Sequence, residues 1–307
     1  MASCIKRKES VSKAIRRVAR ERIKDALECL EDCEQGEAIH CARKDIKRVT
    51  ALLRLACDRI GRKRSRVVVK LLRKAAQHLA APRDARVRLN TLSNLKRHFS
   101  GQLAPAALRH IRAQLLKAFE NEMKRFVKEK TAKTAERMLR DVARDLKSLG
   151  IRGKGWKVLS PGMKTTYARA RCAYQTALRD SSPESFHEWR KRAKDLQYQV
   201  ALLRRVWPEQ MEAMAEELKR LGENLGDDHD LAMLREAVER QRGGKNHPRR
   251  EGETLYGLIE ERQRELRAAA FALGARFFAE KPSAFCDRLA GYWQIWRGEK
   301  FPLAPGR

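Results

Sequence analysis

Apolar residues recur every three or four positions along most of the chain, and charged residues fill the positions between them. This spacing places the apolar side chains on one side of an α-helix. Around residue 190 the apolar side consists of Phe186, Trp189, Ala193, Leu196, Val200 and Leu203, and around residue 46 of Ile39, Ala42, Ile46, Val49 and Leu53. Strand-forming β-branched residues run together only at 67–69. The pattern therefore predicts an all-α fold.

Proline, serine and glycine divide this pattern into helices. Ser182 followed by Pro183 is typical of a helix start, and Gly150, Gly153 and Gly155 mark a junction near the middle of the chain. We predict helices at 11–33, 37–59, 63–80, 83–98 and 105–148, and again at 161–180, 184–206, 209–225, 229–242 and 251–296. Because the two series run in the same order, we predict two related halves, residues 1–155 and 156–307.

One short basic pattern occurs in both halves. The sequence His-x-x-Arg-Lys-x-x-Lys begins at His40 and again at His187, and 187 − 40 gives an offset of 147 positions. On a helix that turns about 100° per residue, these residues share one face opposite the apolar side. Each copy can therefore pack on one side and present cations on the other. This repetition predicts an internal duplication.

The charge balance identifies the class of partner. The 307 residues include 69 Lys and Arg against 39 Asp and Glu, a formal net charge of +30. Nucleic acid, polyphosphate and acidic membrane surfaces are the partners that such a charge attracts. Hydrophobic residues make up 42%, which excludes a disordered basic tail.

The location follows from what the sequence lacks. No stretch has the roughly 18 uncharged residues of a membrane span, so we expect no membrane insertion. The first residues carry charges throughout, which argues against a secretory signal. Seven cysteines at irregular spacing favour a reducing cytoplasm, where association with polyphosphate granules is the expected setting.

The cysteines near the first histidine are candidate zinc ligands. Cys29, Cys33 and Cys41 lie close to His40 in sequence, but no CxxC pair is present. Cys29 and Cys33 are one helical turn apart, so packing explains them better.

An acidic cluster in the second half offers a second metal candidate. Asp227, Asp228, His229 and Asp230 could hold magnesium through carboxylate oxygens. The same residues also suit a turn, with Gly226 ending one helix and an aspartate starting the next. We favour the turn and predict neither a metal site nor a cofactor.

Three segments of the second half resemble the CHAD family, the conserved histidine α-helical domain: GMKTTYARAR at 162–171, SFHEWRKRAKDLQY at 185–198 and LGENLGDDHDL at 221–231. The resemblance covers about residues 5–300. It implies two antiparallel four-helix bundles related by pseudo-twofold symmetry, with a basic cavity between them that binds inorganic polyphosphate. The first half is the poorer match, since Pro82, Arg83 and Asp84 replace the acidic segment.

The duplicated positions and the resemblance together predict a polyphosphate-binding groove. Its predicted residues are cations on equivalent helices of the two halves, with two histidines and two tyrosines. They are Arg17, Arg20, Lys24, His40, Arg43, Lys44, Lys47, Arg73, Lys74, Lys164, Tyr167, Arg171, His187, Arg190, Lys191, Lys194, Tyr198, Lys219 and Arg220. Arginine can bind phosphate oxygens through two parallel hydrogen bonds, and lysine adds a mobile charge.

The histidines are not expected to be catalytic. Surrounding cations favour the neutral imidazole of His40 and His187, and no carboxylate shares their arc to orient the ring. We therefore expect a binding protein and not an enzyme. A triphosphatase-type domain is not expected either, because the N-terminus lacks an alternating Glu-x-Glu-x-Lys pattern.

Two other functions stay open at this stage. The charge alone also suits a protein that binds the phosphate backbone of nucleic acids without sequence preference. The acidic cluster at 227–230 would suit a magnesium-dependent polyphosphate or triphosphate hydrolase. Magnesium would accompany polyphosphate in any of these cases, as a companion ion of the ligand.

Overall fold

The computed structural model describes residues 4–31, 36–102, 105–241 and 249–298, and its regular secondary structure is entirely helical. This confirms the all-α prediction. The described helices are α1 (Val11–Glu31), α2 (Gly36–Leu55), α3 (Cys57–Ile60), α4 (Arg62–His78), α5 (Ala80–His98), α6 (Pro105–Lys128), α7 (Thr131–Lys147), α8 (Trp156–Arg179), α9 (Pro183–Leu202), α10 (Pro208–Gln241), α11 (Arg249–Phe277) and α12 (Pro282–Arg297).

The larger core contains helices from both halves of the chain. In the first half α1 packs on α2 and α7, while α4 packs on α2 and α7. In the second half α9 packs between α8 and α10, and α12 packs on α8. Ile15, Leu53 and Leu139 join the same buried cluster as Trp189 and Trp293. The boundary at residue 155 therefore does not separate two independent cores.

The seam between the halves is formed by α2 and α9, which pack directly on each other. Arg54 of α2 forms an ion pair with Asp195 of α9, whose carboxylate is largely buried. Close by, the Gln199 side chain donates a 3.0 Å hydrogen bond to the carbonyl of Ala51. Because both contacts use buried groups, they fix how one half sits against the other.

A smaller core lies apart from the first. It is built from α5 and α6 of the first half and from the C-terminal part of α10 with the N-terminal part of α11. Leu92, Ile111, Leu234 and Ile259 are among its buried residues. Since each half supplies two of its helices, this core ties the halves together a second time.

Several helix boundaries differ from the prediction. The stretch 105–148 is interrupted at Lys130, whose φ of 51° lies in the left-handed region, so it forms two helices. The stretch 251–296 is likewise divided into α11 and α12. The largest difference is α10, because the turn predicted at Gly226 does not occur and the helix continues through the acidic segment.

Helix α8 starts earlier than predicted, at Trp156, and contains Pro161. A proline within a helix has no N–H for the carbonyl four residues before it. Here that carbonyl belongs to Lys157, and it accepts a 3.0 Å hydrogen bond from Nε of Arg59 instead. The predicted start at Ser182 is confirmed, since its hydroxyl accepts a hydrogen bond from the backbone N–H of Ser185.

Among the described residues, no helix is long and apolar enough to span a lipid bilayer. Cys33 and the C-terminal residues 299–307 lie outside the described residues.

Candidate functional site

A basic groove of about 420 Å³ lies along the seam between α2 and α9, with α4, α5 and α10 as its other walls. We call it the central groove. The charged residues that line it are Arg43, Lys47, Arg54, Arg73, Arg83, Asp84, Arg190, Lys191, Lys194 and Asp195. Eight of these ten side chains are cationic. The basic faces of the two repeated helices therefore meet at one cavity.

Few of these cations have a carboxylate partner. Arg54 pairs with Asp195, Arg83 pairs with Asp84 at 3.0 Å, and Lys191 pairs with Glu188 outside the cavity. No ion pair is formed in the described part of the chain by the remaining five, which are Arg43, Lys47, Arg73, Arg190 and Lys194. The fold thus holds five basic side chains without an ion pair at one concave surface, as far as the described residues go.

Two glycines of α10 make room for groove cations from α9. A Cβ atom added to Gly222 would lie 2.6 Å from Cε of Lys194, and one added to Gly226 would lie 3.1 Å from Nη2 of Arg190. Glycine within a helix costs about 1 kcal/mol relative to alanine. Gly222 and Gly226 are one turn apart on the same face of α10. The helix therefore lacks side chains at the two points where Lys194 and Arg190 pack against it.

The crowding of positive charge changes the acidity of the groove side chains. Desolvation by the surrounding protein, followed by repulsion from Arg190 and Arg43, lowers the pKa of Lys47 from 10.5 to about 7. The pKa values of Arg190 and Lys194 are also lowered, with desolvation as the largest cause in each. An anion entering the groove would relieve this repulsion.

Both repeated histidines lie at the edge of the basic region. The ring centre of His187 is 5.0 Å from that of His229, and desolvation, then His229 and Lys191, lower the pKa of His187. Desolvation and the charges of Arg83 and Lys44 lower the pKa of His40. The prediction that these imidazoles favour their neutral forms is consistent with both shifts.

The acidic segment 227–230 does not gather into one site. Asp228 is buried and accepts a 2.7 Å hydrogen bond from Arg267, while Asp230 contacts His229 and lies 3.9 Å from Arg83. Burial raises the pKa of Asp227, which lines a different cavity. In the described residues no group of three His, Cys, Asp or Glu side chains could hold a metal ion. Asp228 and Asp230 instead face different partners around a continuous helix.

The cysteine cluster has no zinc-like arrangement among the described residues either. Burial, then the hydrogen bond that the Cys29 thiol makes with Cys41, raises the pKa of Cys29 to about 12. A zinc ligand has to be a thiolate, which this environment opposes.

A second concavity of about 340 Å³ opens beside the central groove, between α1, α2, α9 and α10. We call it the α1 groove. Lys194 and Tyr198 line both cavities, and Lys44 and Lys219 line the α1 groove alone. Burial raises the pKa of the Tyr198 hydroxyl, and the guanidinium of Arg48 lies 5.9 Å from its ring centre.

The predicted site residues divide into two groups. The structure brings together ten of them along the central and α1 grooves: Arg43, Lys44, Lys47, Arg73, His187, Arg190, Lys191, Lys194, Tyr198 and Lys219. The other nine do not line either groove: Arg17, Arg20, Lys24, His40, Lys74, Lys164, Tyr167, Arg171 and Arg220. Arg17, for example, is held by Glu9, by Glu21 and by the carbonyl of Cys4.

Tyr167 requires a correction, because it is a core residue and does not face the groove. Its side chain is fully buried and stacks on Phe285 with ring centres 4.0 Å apart. Its hydroxyl donates to the carbonyls of Phe277 and Glu280, at 3.0 and 3.2 Å. Burial raises its pKa to about 12. It shares a helix with basic residues but points inward, towards α12.

Three groove residues were missed as binding residues. They are Arg54 on α2, Arg83 on α5 and His229 on α10. The offset of 229 − 83 = 146 makes Arg83 and His229 equivalent in the two halves, next to Asp84 and Asp230. This offset is the feature of the sequence that could have identified the two residues as a pair. It is easy to miss because one residue is arginine and the other is histidine.

The comparisons with known proteins agree with this architecture. PptA from Streptomyces chartreusis is similar to this chain with a TM-score of 0.65 at 15% identity, over 87% of this chain and 100% of that one. The crystal structure of the CHAD domain from the plant Ricinus communis is similar with a TM-score of 0.66 at 16% identity, over 91% and 95%. No curated protein matches the sequence. The family model of the CHAD domain matches residues 14–239, and the chain therefore belongs to the CHAD family.

Proposed function

We propose that this protein binds inorganic polyphosphate in the central groove without catalysing a reaction. The observation that carries the proposal is the group of five cations without ion pairs, which two repeated helices and α4 present to one cavity. Some members of the CHAD family are known to bind polyphosphate, which agrees with this choice of anion.

The chemistry of the groove suits a flexible chain of phosphates. Arg43, Arg73 and Arg190 can each donate two parallel hydrogen bonds to phosphate oxygens, and Lys47 and Lys194 add mobile charges. Among the described lining residues the aromatic rings are Tyr198 and the imidazoles of His187 and His229, with no phenylalanine or tryptophan. Bound bases of a single-stranded nucleic acid would need such stacking surfaces.

The hydrolase alternative has less support. Metal-dependent phosphate hydrolysis needs carboxylates that converge on an ion. The aspartates of the segment 227–230 point to different partners, and Asp228 is already held by Arg267. A phosphate-release assay tests this point directly, because magnesium-dependent turnover that is abolished by Asp230→Ala would contradict a binding function.

Calorimetry with long-chain polyphosphate and with duplex DNA tests the proposal. We expect polyphosphate to bind more tightly than DNA at both low and moderate salt, and both affinities to fall as salt rises. A double variant, Lys47→Gln with Lys194→Gln, should weaken polyphosphate binding by about tenfold or more.

The matched control removes the same charge elsewhere. Lys124 and Lys128 are exposed on α6 and line none of the grooves described above. Their double substitution by glutamine should leave polyphosphate affinity nearly unchanged. Tighter binding of DNA by the parent protein at every salt concentration would contradict the proposal, and so would equal losses in the two double variants.

A further inference from the structure

Two more basic concavities follow the central groove past Arg54, near the C-terminal end of α2. The first, of about 310 Å³, lies between α2, α3, α4, α8 and α9, and we call it the α8 groove. The second, of about 770 Å³, is a shallow surface between α8 and the start of α12, and we call it the α12 groove. Of the residues predicted from the sequence, Arg73 lines the α8 groove, and Lys164 and Arg171 line the α12 groove.

These cavities form one path because neighbours share walls. Arg54, Val69, Arg73 and Asp195 line both the central groove and the α8 groove. Thr165 and Arg169 in turn line both the α8 groove and the α12 groove. The three cavities are therefore adjacent, so a linear ligand that fills the central groove has further cation-lined surface over α8 within reach.

The path remains basic along this direction. In the α8 groove, Arg62 is paired with Asp58 and Arg54 with Asp195, but Arg66 and Arg169 form no ion pair in the described part of the chain. The α12 groove has no carboxylate among its described lining residues. Its cations are Lys164, Arg169, Arg171 and Lys281.

The geometry also accounts for two cations that the central groove leaves out. Lys164 and Arg171 are on α8 at positions predicted to bind polyphosphate, yet they line the α12 groove. Nε of Arg171 donates a 2.9 Å hydrogen bond to the carbonyl of Phe278, which anchors its side chain beside α12. Lys164, Arg169 and Lys281 are exposed and without ion pairs in the described ranges.

We infer that a long polyphosphate chain leaves the central groove over α8 and is bound again in the α12 groove by Lys164, Arg169 and Lys281. This inference rests on the proposed function and adds to it a preference for chain length. A short polyphosphate fills the central groove alone, whereas a long one also contacts the second set of cations.

The test compares tripolyphosphate with long-chain polyphosphate by calorimetry at several salt concentrations. The variant Lys164→Gln, Arg169→Gln, Lys281→Gln should bind tripolyphosphate as the parent does and bind the long chain about tenfold more weakly. Because each lost phosphate contact reduces the salt slope by about 0.7 for a single strand, the slope for the long chain should fall by about 2.

The control variant carries Lys117→Gln, Lys124→Gln and Lys128→Gln, three exposed residues of α6. It has the same net charge as the test variant, so it corrects for the general loss of attraction. The inference is overturned if the test variant binds the long chain as the control does, or if it loses tripolyphosphate affinity equally. Failure of the parent to bind either polyphosphate would instead refute the proposed function itself, and the inference with it.

Discussion

Lys47 offers the most direct test of how the groove works, because its pKa is lowered from 10.5 to about 7 by desolvation and by neighbouring cations. In the free protein at pH 8.5, this side chain is mostly neutral. A bound polyphosphate places negative charge beside Lys47 and favours its protonated form, so the pKa of Lys47 should return towards 10.5. Binding should therefore take up about one proton at Lys47.

The same shift affects the stability of the free protein. The unfolded chain, with an ordinary lysine pKa, binds more protons between pH 7 and 10.5 than the folded chain does, so stability should rise with pH across this window. At about 1.4 kcal/mol per pH unit, the full change corresponds to about 5 kcal/mol. Lys47 is surrounded by protein but still exposed to groove solvent, so we expect only about 1 to 2 kcal/mol.

The perturbation is Lys47→Met, which keeps the length of the side chain and removes its charge. Calorimetry at pH 8.5 in buffers of different ionisation enthalpy measures the protons taken up on binding. Lys194 also has a lowered pKa and contributes in both proteins, so the difference between parent and variant isolates Lys47. At neutral pH the free variant should resist urea better than the parent and bind polyphosphate more weakly.

Two results would refute this reasoning. Equal proton uptake by parent and variant would mean that Lys47 keeps its charge in the free groove. The other result is a variant that is less stable than the parent at pH 7 and recovers no stability when salt is added. It would mean that the ammonium of Lys47 stabilises the fold of the parent. Urea unfolding at pH 7 and pH 9 measures the second outcome, because the parent should gain more stability between them than the variant, which keeps only the contribution of Lys194.

Three further substitutions test the structural account. Gly222→Ala should raise stability by up to about 1 kcal/mol through helix propensity, yet weaken polyphosphate binding, because the new Cβ displaces Lys194; urea unfolding and calorimetry on one sample separate the two effects. Tyr167→Phe should lower stability by about 1 to 2 kcal/mol and leave affinity unchanged, whereas a large loss of affinity would return this residue to the site. Arg54→Met should lower stability by up to about 3 kcal/mol, because the buried Asp195 keeps only Arg192, 3.7 Å away, as an ion-pair partner, and adding Asp195→Asn should restore much of it; no restoration would exclude this explanation.

Local spacing was sufficient to predict the fold class and most helices. Apolar residues at intervals of three and four mark α1, α2, α4, α5 and α9 within a few residues of their observed bounds. The predicted turn at Gly226 was wrong because a helix interior and a helix end can both contain glycine. The reason for the glycine here is the side chain of Arg190, which lies on another helix and is invisible to local pattern.

The site was predictable where both copies of the basic pattern lie on helices at the seam. The cations at 43, 44 and 47 and at 190, 191 and 194 all line the central or α1 groove. The predicted positions on α1 and α8 share the duplication but line neither groove, and Tyr167 among them lies in the core. The helical pattern shows which residues share a face of a helix. Whether that face lines a groove depends on how the helix packs, as α1 does against α2 and α7.

The grooves also explain why so many cations can be held without unfolding the protein. Arg54 and Asp195 neutralise each other at the seam, and Arg83 is balanced by Asp84, so the repulsion falls mainly on five side chains that face solvent. The packing of the buried cluster beneath α2 and α9, which includes Ile46 and Leu196, offsets their mutual repulsion. A polyanion at a hundred times its Kd would add about 2.7 kcal/mol of stability. Variants that remove one of these five cations should therefore be more stable when free and less stabilised by ligand, which is the opposite of what a purely structural role for these residues would give.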